Sequence, residues 1–226
     1  MAAAAARYGD LVHQAKRWFG TAKGRNSRVI LGSGSKIRRK LMDEICEQAG
    51  FEYEVISADI DERAIRRDDP ADLVTTLALA KADAIQEKLK LNGDPSLENV
   101  LLITCDQVVV HNGNILEKPT SKDEARQFIE GYKDFPASTV GSICVTQPGT
   151  GRQESEVDTA HIHFDAIPPE TIDYLIAEGE VFYCAGGLMV EHDKVNPHVT
   201  KIEGTMDAVM GLPKARVLNL LAKFFD

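Results

Sequence analysis

Residues 28–39 read Arg-Val-Ile-Leu-Gly-Ser-Gly-Ser-Lys-Ile-Arg-Arg, and this stretch decides the fold class. A short apolar run that ends in glycine and serine predicts a buried strand, and the apolar periodicity from Ile37 to Ala49 predicts a helix. A strand, a glycine- and serine-rich turn and a helix start commonly hold phosphate, because free backbone N–H groups and the helix dipole face an anion there. The spacing is that of neither the Walker A loop nor the dinucleotide fingerprint. From these residues alone, a phosphate site and a plain turn are equally open.

The alternation of strands and helices continues to the end of the chain. Asn112-Gly113 predicts a hairpin turn between two strands, and residues 92–99 predict a polar loop. Helices between buried strands, followed by hairpins, predict an α/β fold with a mixed, elongated sheet flanked by helices. No linker is long enough to separate two domains, so residues 27–226 are predicted to form one. The further strands are predicted at 51–57, 100–105 (followed by 107–111), 139–146, 155–164 and 199–203, and the further helices from 70 on, at 122–131, at 168–177 and after 213.

The composition excludes several classes of protein. The chain has 226 residues, of which 43% are hydrophobic and 27% charged, as in ordinary globular proteins. The net charge of −9 predicts no nucleic-acid partner, because phosphate contacts need clustered Lys and Arg. No apolar run approaches the roughly 20 residues that span a bilayer. The 4 scattered cysteines favour a reducing compartment, and we expect a cytoplasmic protein.

Residues 1–26 are predicted to form an N-terminal extension. An alanine run from Met1 to Ala6 precedes a basic, amphipathic segment from Arg7 to Gly24. The sequence does not distinguish between a helix packed on the domain and a flexible appendage for this extension. An organelle-targeting peptide is a lesser alternative, because Asp10 is present and serine and arginine are sparse.

The first candidate cluster combines acidic residues with a lysine. Asp61 and Glu62 follow a predicted strand, and Lys81 lies on the next helix. Paired carboxylates suit magnesium, which takes one or two carboxylates together with waters and phosphate oxygens. A solvated run of charges is the commoner explanation of such a pattern.

Asp106 directly follows a fully apolar strand. The carboxyl ends of buried strands are where α/β sheets usually place ligands, so Asp106 could hold a metal or deprotonate a water. Capping a turn is its structural alternative. Lys118 precedes a proline that fixes the backbone, although a lone lysine is usually surface. His161 and His163 share one strand face, but without an obvious third ligand an exposed face is favoured over a zinc site.

Together these motifs resemble the Maf family (septum-formation-type proteins), relatives in fold of the inosine triphosphate pyrophosphatases. The resemblance extends from about Val29 to Phe224. The motifs occur in the family's order at matching intervals. They are Ser33-Gly34-Ser35-Lys36-Ile37-Arg38, Asp61-Glu62, Asp106, Lys118-Pro119 and Gly211-Leu212-Pro213.

The resemblance implies two lobes with a central cleft, frequent homodimers and a divalent metal, Mg²⁺ or Mn²⁺. It implies hydrolysis of the bond between the α and β phosphates of a nucleoside triphosphate. Phosphoanhydride cleavage depends mostly on positioning and charge stabilisation, which cations and metal supply. Residue by residue, it assigns phosphate binding to Ser33, Ser35 and Arg38, the metal and the attacking water to Glu62 and Asp106, and neutralisation of the triphosphate to Lys81 and Lys118.

Ile37, Gln107 and Glu191 are the candidates for base selection. A Maf branch that favours dTTP and UTP resembles Ser-Pro-Arg-Arg, Asp-Thr and a late Gln. A branch that favours N7-methyl-GTP resembles Ser-Pro-Trp-Arg, Asp-Gln, Cys-Ala-Gly and a late Glu. Gln107, residues 184–186 (Cys-Ala-Gly) and Glu191 match the second branch, whereas Ile37 replaces its Trp and Lys36 its Pro. A carboxylate can accept both the N1–H and the exocyclic amine of guanine, but Ile37 cannot supply a cation–π contact.

The sequence therefore predicts a pyrophosphatase for an N7-methyl-GTP-type nucleotide, and leaves open whether it serves nucleotide house-cleaning or the control of division. A dTTP/UTP pyrophosphatase and a monophosphatase are alternatives among enzymes. A non-catalytic nucleotide-binding regulator of cell division is the alternative of another class. Loss of Asp106, Glu62 or Lys118 would have favoured that regulator, and all three are present.

Overall fold

A computed structural model describes residues 2–93 and 97–225, with side chains from Arg7 onward; residues 94–96 of the predicted loop 92–99 lie outside the description. The helices are α1 Ala2–Phe19, α2 Ala22–Arg25, α3 Lys36–Ala49, α4 Pro70–Leu91, α5 Lys122–Gly131, α6 Pro169–Glu178, α7 Met206–Val209 and α8 Lys214–Ala222. The strands are β1 Arg28–Gly32, β2 Tyr53–Val55, β3 Val100–His111, β4 Asn114–Leu116, β5 Ala137–Gln147, β6 Arg152–Phe164 and β7 Val199–Glu203.

The described strands form one seven-stranded mixed sheet in the order β2-β1-β3-β5-β6-β7, with β4 paired to β3. The strand β1 runs parallel to β2 and β3, and the other pairings are antiparallel. The predicted mixed α/β sheet flanked by helices is therefore confirmed. The predicted strand at 51–57 is shorter than expected, because only Tyr53–Val55 pair with β1.

The sheet forks along one edge of β3. On this edge β1 pairs with β3 as far as Gly32 opposite Thr104, and β4 begins its pairing at Leu116 opposite Val109. The described pairing thus leaves residues 105–108 without a neighbouring strand on this side. On the other edge β5 accompanies β3 from Leu102 to the end of the strand. The fork opens the sheet at Asp106.

Two main hydrophobic clusters lie on either side of the fork. One packs α1, α3 and α8 against β1 and the first half of β3, and includes Met42, Ile45 and Leu218. The other packs α5 and α6 against the later part of the sheet, and includes Ile129 and Ile172. The helix α4 covers the opposite face of β1 and β3. The molecule therefore has two lobes joined by continuous strands.

The described part of residues 1–26 includes α1, which packs on α3 and α8. Trp18 and Phe19 are buried at the end of α1. Trp18 stacks on Phe225 with ring centroids 4.3 Å apart, and Phe19 stacks on Phe51 at 4.1 Å. These aromatic contacts, which the basic and alanine-rich sequence did not reveal, complete the core of the first lobe. No helix in the described part of the chain is long and apolar enough to cross a membrane.

We expect Phe19→Ala to lower the free energy of unfolding by about 3–5 kcal/mol, because it removes a buried aromatic ring and leaves a cavity. Gln14→Ala, at an exposed position of the same helix, is the matched control and should change it by less than about 0.5 kcal/mol. Urea denaturation followed by circular dichroism measures both. Equal stabilities of the two variants would show that α1 does not contribute to the core.

Candidate active site

The fork opens into a cleft of about 990 Å³ between the lobes. Its walls come from the β1–α3 turn, α4, the centre of β3, the segment after β4 and a segment around residues 180–191. Ten candidate site residues of the sequence analysis line this one cleft. They are Ser33, Ser35, Ile37, Arg38, Glu62, Lys81, Asp106, Gln107, Lys118 and Glu191.

The β1–α3 turn is shaped by its own serines. The Ser35 backbone N–H donates to the buried Ser33 Oγ at 3.3 Å, and Ser35 Oγ caps α3 by accepting from the Arg38 N–H at 3.3 Å. A Cβ on Gly32 would lie 2.6 Å from Ile85 and 2.7 Å from Thr104. The side chains of Ile85 and Thr104 thus pack closely on Gly32 at the end of β1, and a larger residue there would require them to shift. The N-terminus of α3, with its positive dipole end, consequently points into the cleft.

Arg38 crosses from α3 to the gap in the sheet. Its Nε donates to the Gly211 carbonyl at 3.0 Å and its Nη1 to the Cys105 carbonyl at 3.2 Å. Both acceptors are uncharged, so the guanidinium is held in place while its positive charge stays available to an anion. Gly211 has φ +92°, and a Cβ there would lie 3.1 Å from Arg38 Nε. The late Gly-Leu-Pro motif thus supports Arg38.

Lys81 joins two carboxylates on the floor of the cleft. Its Nζ lies 2.6 Å from Asp106 Oδ1 and 2.7 Å from Glu62 Oε1. Lys81 and Asp106 are each about 8% exposed, whereas Glu62 is exposed at the mouth. A lysine on the buried face of a long helix needs such partners, since an unpaired buried ammonium is costly.

The contacts of this cluster favour the charged forms of Lys81 and Glu62. Burial alone would lower the pKa of Lys81, but the Asp106 charge and the hydrogen bonds to both carboxylates raise it above the usual 10.5 despite the opposing charge of Arg38. Burial alone would raise the pKa of Glu62, yet Lys81, followed by Lys118 and Arg38, holds it below the usual 4.5. Lys81 is therefore an ammonium and Glu62 a carboxylate at neutral pH.

Asp106 and Gln107 face opposite sides of the sheet, as neighbours on a strand must. Asp106 points towards α4 and Lys81. Gln107 points towards the end of α7, where its Nε2 donates to the Ala208 carbonyl at 2.9 Å. Asp106 and Gln107 thus connect the unpaired part of β3 to α4 on one face of the sheet and to α7 on the other.

Of the predicted acidic pair, Glu62 reaches the cleft and Asp61 does not line it among the described residues. Asp61 instead caps the short 3-10 helix Glu62–Ala64 by accepting from the Arg63 N–H at 3.1 Å. Lys118 is exposed in the cleft wall, next to the buried Pro119.

The second-lobe wall is attached to the segment that carries Lys118. The Gly186 N–H donates to the Glu117 carbonyl at 2.8 Å, and Tyr132 Oη donates to the Gly186 carbonyl at 2.6 Å. Gly186 has φ +63°, and a Cβ there would lie 2.4 Å from Tyr132 Oη. Burial, then the charges of Glu191 and Glu180, raise the pKa of the Cys184 thiol to about 11. Cys184 is therefore not a nucleophile at neutral pH.

Two further residues of this wall, Glu180 and Tyr183, were missed in the sequence analysis. They lie in the 3-10 helix Glu180–Tyr183, which has no helical or strand periodicity to mark it. Their position directly before the Cys184-Ala185-Gly186 motif is the one feature of the sequence that could have indicated them.

The donor set of the cleft suits a hard divalent cation completed by substrate. No group of three or more His, Cys, Asp or Glu residues able to hold a metal occurs in the part of the chain that the structure describes. His161 contacts Ser138 at 2.7 Å and His163 contacts Glu203 at 3.0 Å, outside the cleft. Mg²⁺ commonly uses only one or two carboxylates and takes its other ligands from water and phosphate.

A family model described as Maf-like protein matches residues 28–224. The chain belongs to the Maf-like family. A 7-methyl-GTP pyrophosphatase of Dictyostelium discoideum is 37% identical over 195 residues, which cover 86% of this Maf-like chain and 96% of that protein. A 7-methyl-GTP pyrophosphatase of Idiomarina loihiensis is 29% identical, with 85% and 92% covered. A dTTP/UTP pyrophosphatase of Chromobacterium violaceum is 32% identical over 199 residues, with 88% and 96% covered.

We expect Lys81→Met to lower the free energy of unfolding at pH 7 by about 3–5 kcal/mol, because the buried Asp106 carboxylate loses its partner. The difference from the wild type should shrink on acidification. The lowered pKa of Glu62 contributes stability to the wild type above pH 4.5, and this stability is lost as the pH falls.

Lys88→Met is the matched control on the same helix, because Lys88 pairs with Asp59 at an exposed site. Its effect should stay within about 1 kcal/mol. Urea denaturation of the three proteins at pH 7 and pH 3.5 makes the comparison. A Lys81→Met effect as small as that of the control would contradict the role of the buried pair.

Proposed function

We propose that this Maf-like protein hydrolyses the α–β phosphoanhydride of a nucleoside triphosphate to the monophosphate and pyrophosphate, with an N7-methyl-GTP-type nucleotide as substrate. The observation that carries the proposal is the Asp106–Lys81–Glu62 cluster on the cleft floor, beside the capped N-terminus of α3. The similar proteins are all named as nucleotide pyrophosphatases, which supports the same chemistry.

The triphosphate would bind along the wall formed by α3 and the segment after β4. Ser33, Ser35 and the N-terminus of α3 offer hydroxyl and N–H donors to phosphate oxygens. Arg38, held by two carbonyl groups, and the exposed Lys118 bring positive charge from opposite lobes. Although the protein carries a net negative charge, the positive charges of Arg38 and Lys118 would thus lie beside the bound triphosphate.

Glu62 and Asp106 are the residues that would hold Mg²⁺ or Mn²⁺. Each keeps carboxylate oxygen beyond the single contact with Lys81. A divalent ion at this position, when bound, neutralises phosphate charge and polarises the attacked phosphorus. Lys81 keeps both carboxylates ionised and fixed relative to each other.

Asp106 would accept the proton of the attacking water. The water oxygen would form a bond to the α-phosphorus. The bond between that phosphorus and the α–β bridging oxygen would break, and its electron pair would leave with pyrophosphate. The proton lost by the water passes to the Asp106 carboxylate. Arg38 and Lys118 stabilise the charge that develops on the leaving group.

Gln107 and Glu191 would select the base. The Glu191 carboxylate can accept both the N1–H and the exocyclic amine of guanine, and its negative charge favours the positive charge that N7-methylation gives the base. Gln107 already donates to Ala208, so it contributes mainly its carbonyl oxygen and the position of the adjoining wall.

A dTTP/UTP pyrophosphatase is the second candidate. The aliphatic Ile37 stands in the cleft where it provides no stacking surface, and a dTTP/UTP pyrophosphatase is 32% identical to this chain. The homodimer and the cytoplasmic location stay predictions from the sequence and its resemblance.

Asp106→Asn should reduce turnover at least about a thousandfold, because the amide cannot accept the proton of the water. Pyrophosphate release from N7-methyl-GTP with Mg²⁺ or Mn²⁺ measures the effect, and thermal unfolding checks that the fold is kept. Asp61→Asn removes the same charge outside the cleft and should stay near wild-type activity. Near-normal turnover of Asp106→Asn would remove Asp106 from the mechanism.

Glu191→Gln should raise KM for N7-methyl-GTP and GTP more than for UTP, because the amide replaces an acceptor oxygen by a donor that faces the guanine edge. We expect a differential loss of about 10- to 100-fold in kcat/KM. Steady-state pyrophosphate release from each nucleotide gives the ratio. An equal loss on all three nucleotides would exclude Glu191 from base selection.

A further inference from the structure

Tyr183 presents an exposed aromatic ring to the cleft. It is 75% exposed, compared with 51% for Phe135 and 46% for Tyr174, and of these three rings it is the one that lines the cleft. Its side chain makes no ring contact or hydrogen bond with the residues that the structure describes. A ring in this state has both faces available to a ligand.

The backbone that carries Tyr183 is well anchored. The preceding Val181 is fully buried in the second-lobe core, and the Cys184 N–H donates to the Val181 carbonyl at 3.3 Å. Two residues further on, Gly186 binds the Glu117 carbonyl, next to Lys118. The backbone that carries the Tyr183 ring is therefore held by hydrogen bonds, and these connect it to the segment that contains Lys118. A rigid aromatic platform loses little conformational entropy when a base stacks on it.

Two carboxylates line the same side of the cleft as this ring. Glu180 lies in the same 3-10 helix and Glu191 in the same cleft wall. Both act electrostatically on the Cys184 thiol, which adjoins Tyr183, so both lie close to this part of the wall. Two negative charges beside an aromatic face give a neutral pyrimidine no Coulomb attraction. A positively charged planar base is attracted by the two carboxylates and also makes a cation–π contact with the aromatic ring.

We propose that Tyr183 stacks on the base of the substrate and, with Glu180 and Glu191, selects a cationic N7-alkylated purine. The inference rests on the proposed function and deepens it, since it names the group that recognises the cationic ring. Ile37 on the facing wall then supplies apolar contact without aromatic character. The aromatic face comes from the second lobe, and the phosphate-binding turn comes from the first.

Pyrophosphate release from N7-methyl-GTP, GTP and UTP tests the proposal in wild type, Tyr183→Ala and Tyr183→Phe. Tyr183→Ala should raise KM for N7-methyl-GTP about tenfold, as expected for loss of a stacked cationic base, with a smaller rise for GTP and little for UTP. Tyr183→Phe keeps the ring and should keep the preference. Tyr174→Ala removes an exposed tyrosine outside the cleft and should match the wild type.

An unchanged ratio of N7-methyl-GTP to GTP in Tyr183→Ala would overturn the proposal, and so would an equal loss in Tyr183→Phe. Failure of the wild type to release pyrophosphate from any nucleotide would instead refute the proposed function. In that case titration calorimetry with N7-methyl-GMP and GMP decides the stacking. Preferential binding of the methylated nucleotide that Tyr183→Ala abolishes supports the role of Tyr183, and equal binding of both nucleotides overturns it.

Discussion

The ion cluster of Lys81 with Asp106 and Glu62 is the interaction on which the cleft depends. It joins the middle of α4, the centre of β3 and the loop before α4 through contacts of 2.6 and 2.7 Å. The buried Lys81 ammonium is tolerated because it forms ion pairs with both carboxylates, and the buried Asp106 is tolerated because it pairs with Lys81. The cluster does not maximise stability, since apolar residues would fill the space at least as well. It keeps ionised oxygen atoms at the floor of a cleft that must receive phosphate.

The fork in the sheet explains why these charges are accessible. A continuous neighbour of β3 would pair the backbone of residues 105–108 and cover Asp106. Instead β1 stops at Gly32, where the chain turns away into α3, and β4 starts only opposite Val109. Arg38 uses the Cys105 carbonyl that this gap leaves, and so connects the phosphate turn to the strand that carries Asp106. The candidate site residues therefore converge because the Cys105 carbonyl accepts a hydrogen bond from the Arg38 side chain and not from a neighbouring strand.

Much of this arrangement could be predicted from the sequence, and the reasons for success and failure are physical. The apolar run before Asp106 and the glycine–serine turn after β1 have local patterns, so their elements followed from the sequence. The prediction that Asp106 follows the end of its strand was wrong, because β3 continues through Asp106 to His111 in its pairing with β5. The ion pair of Lys81 with Asp106 could not be derived, because it depends on how α4 packs across the sheet. Trp18 and Phe19 looked like part of an appendage, since their partners Phe225 and Phe51 are distant in the chain. Tyr183 lies in irregular structure, where periodicity carries no information.

The charge distribution of the cleft gives a bound nucleotide one orientation. Arg38 and Lys81 come from α3 and α4 and Lys118 from the segment after β4, whereas Glu180 and Glu191 lie on the second-lobe wall. A triphosphate turned the other way would bring its charge against those carboxylates and leave the cations without a partner. A base that carries positive charge makes the contrast larger, because both ends of the molecule then match their surroundings. On the proposed function, selection of a cationic base and alignment of the α–β bond over Asp106 would both follow from this separation of charge.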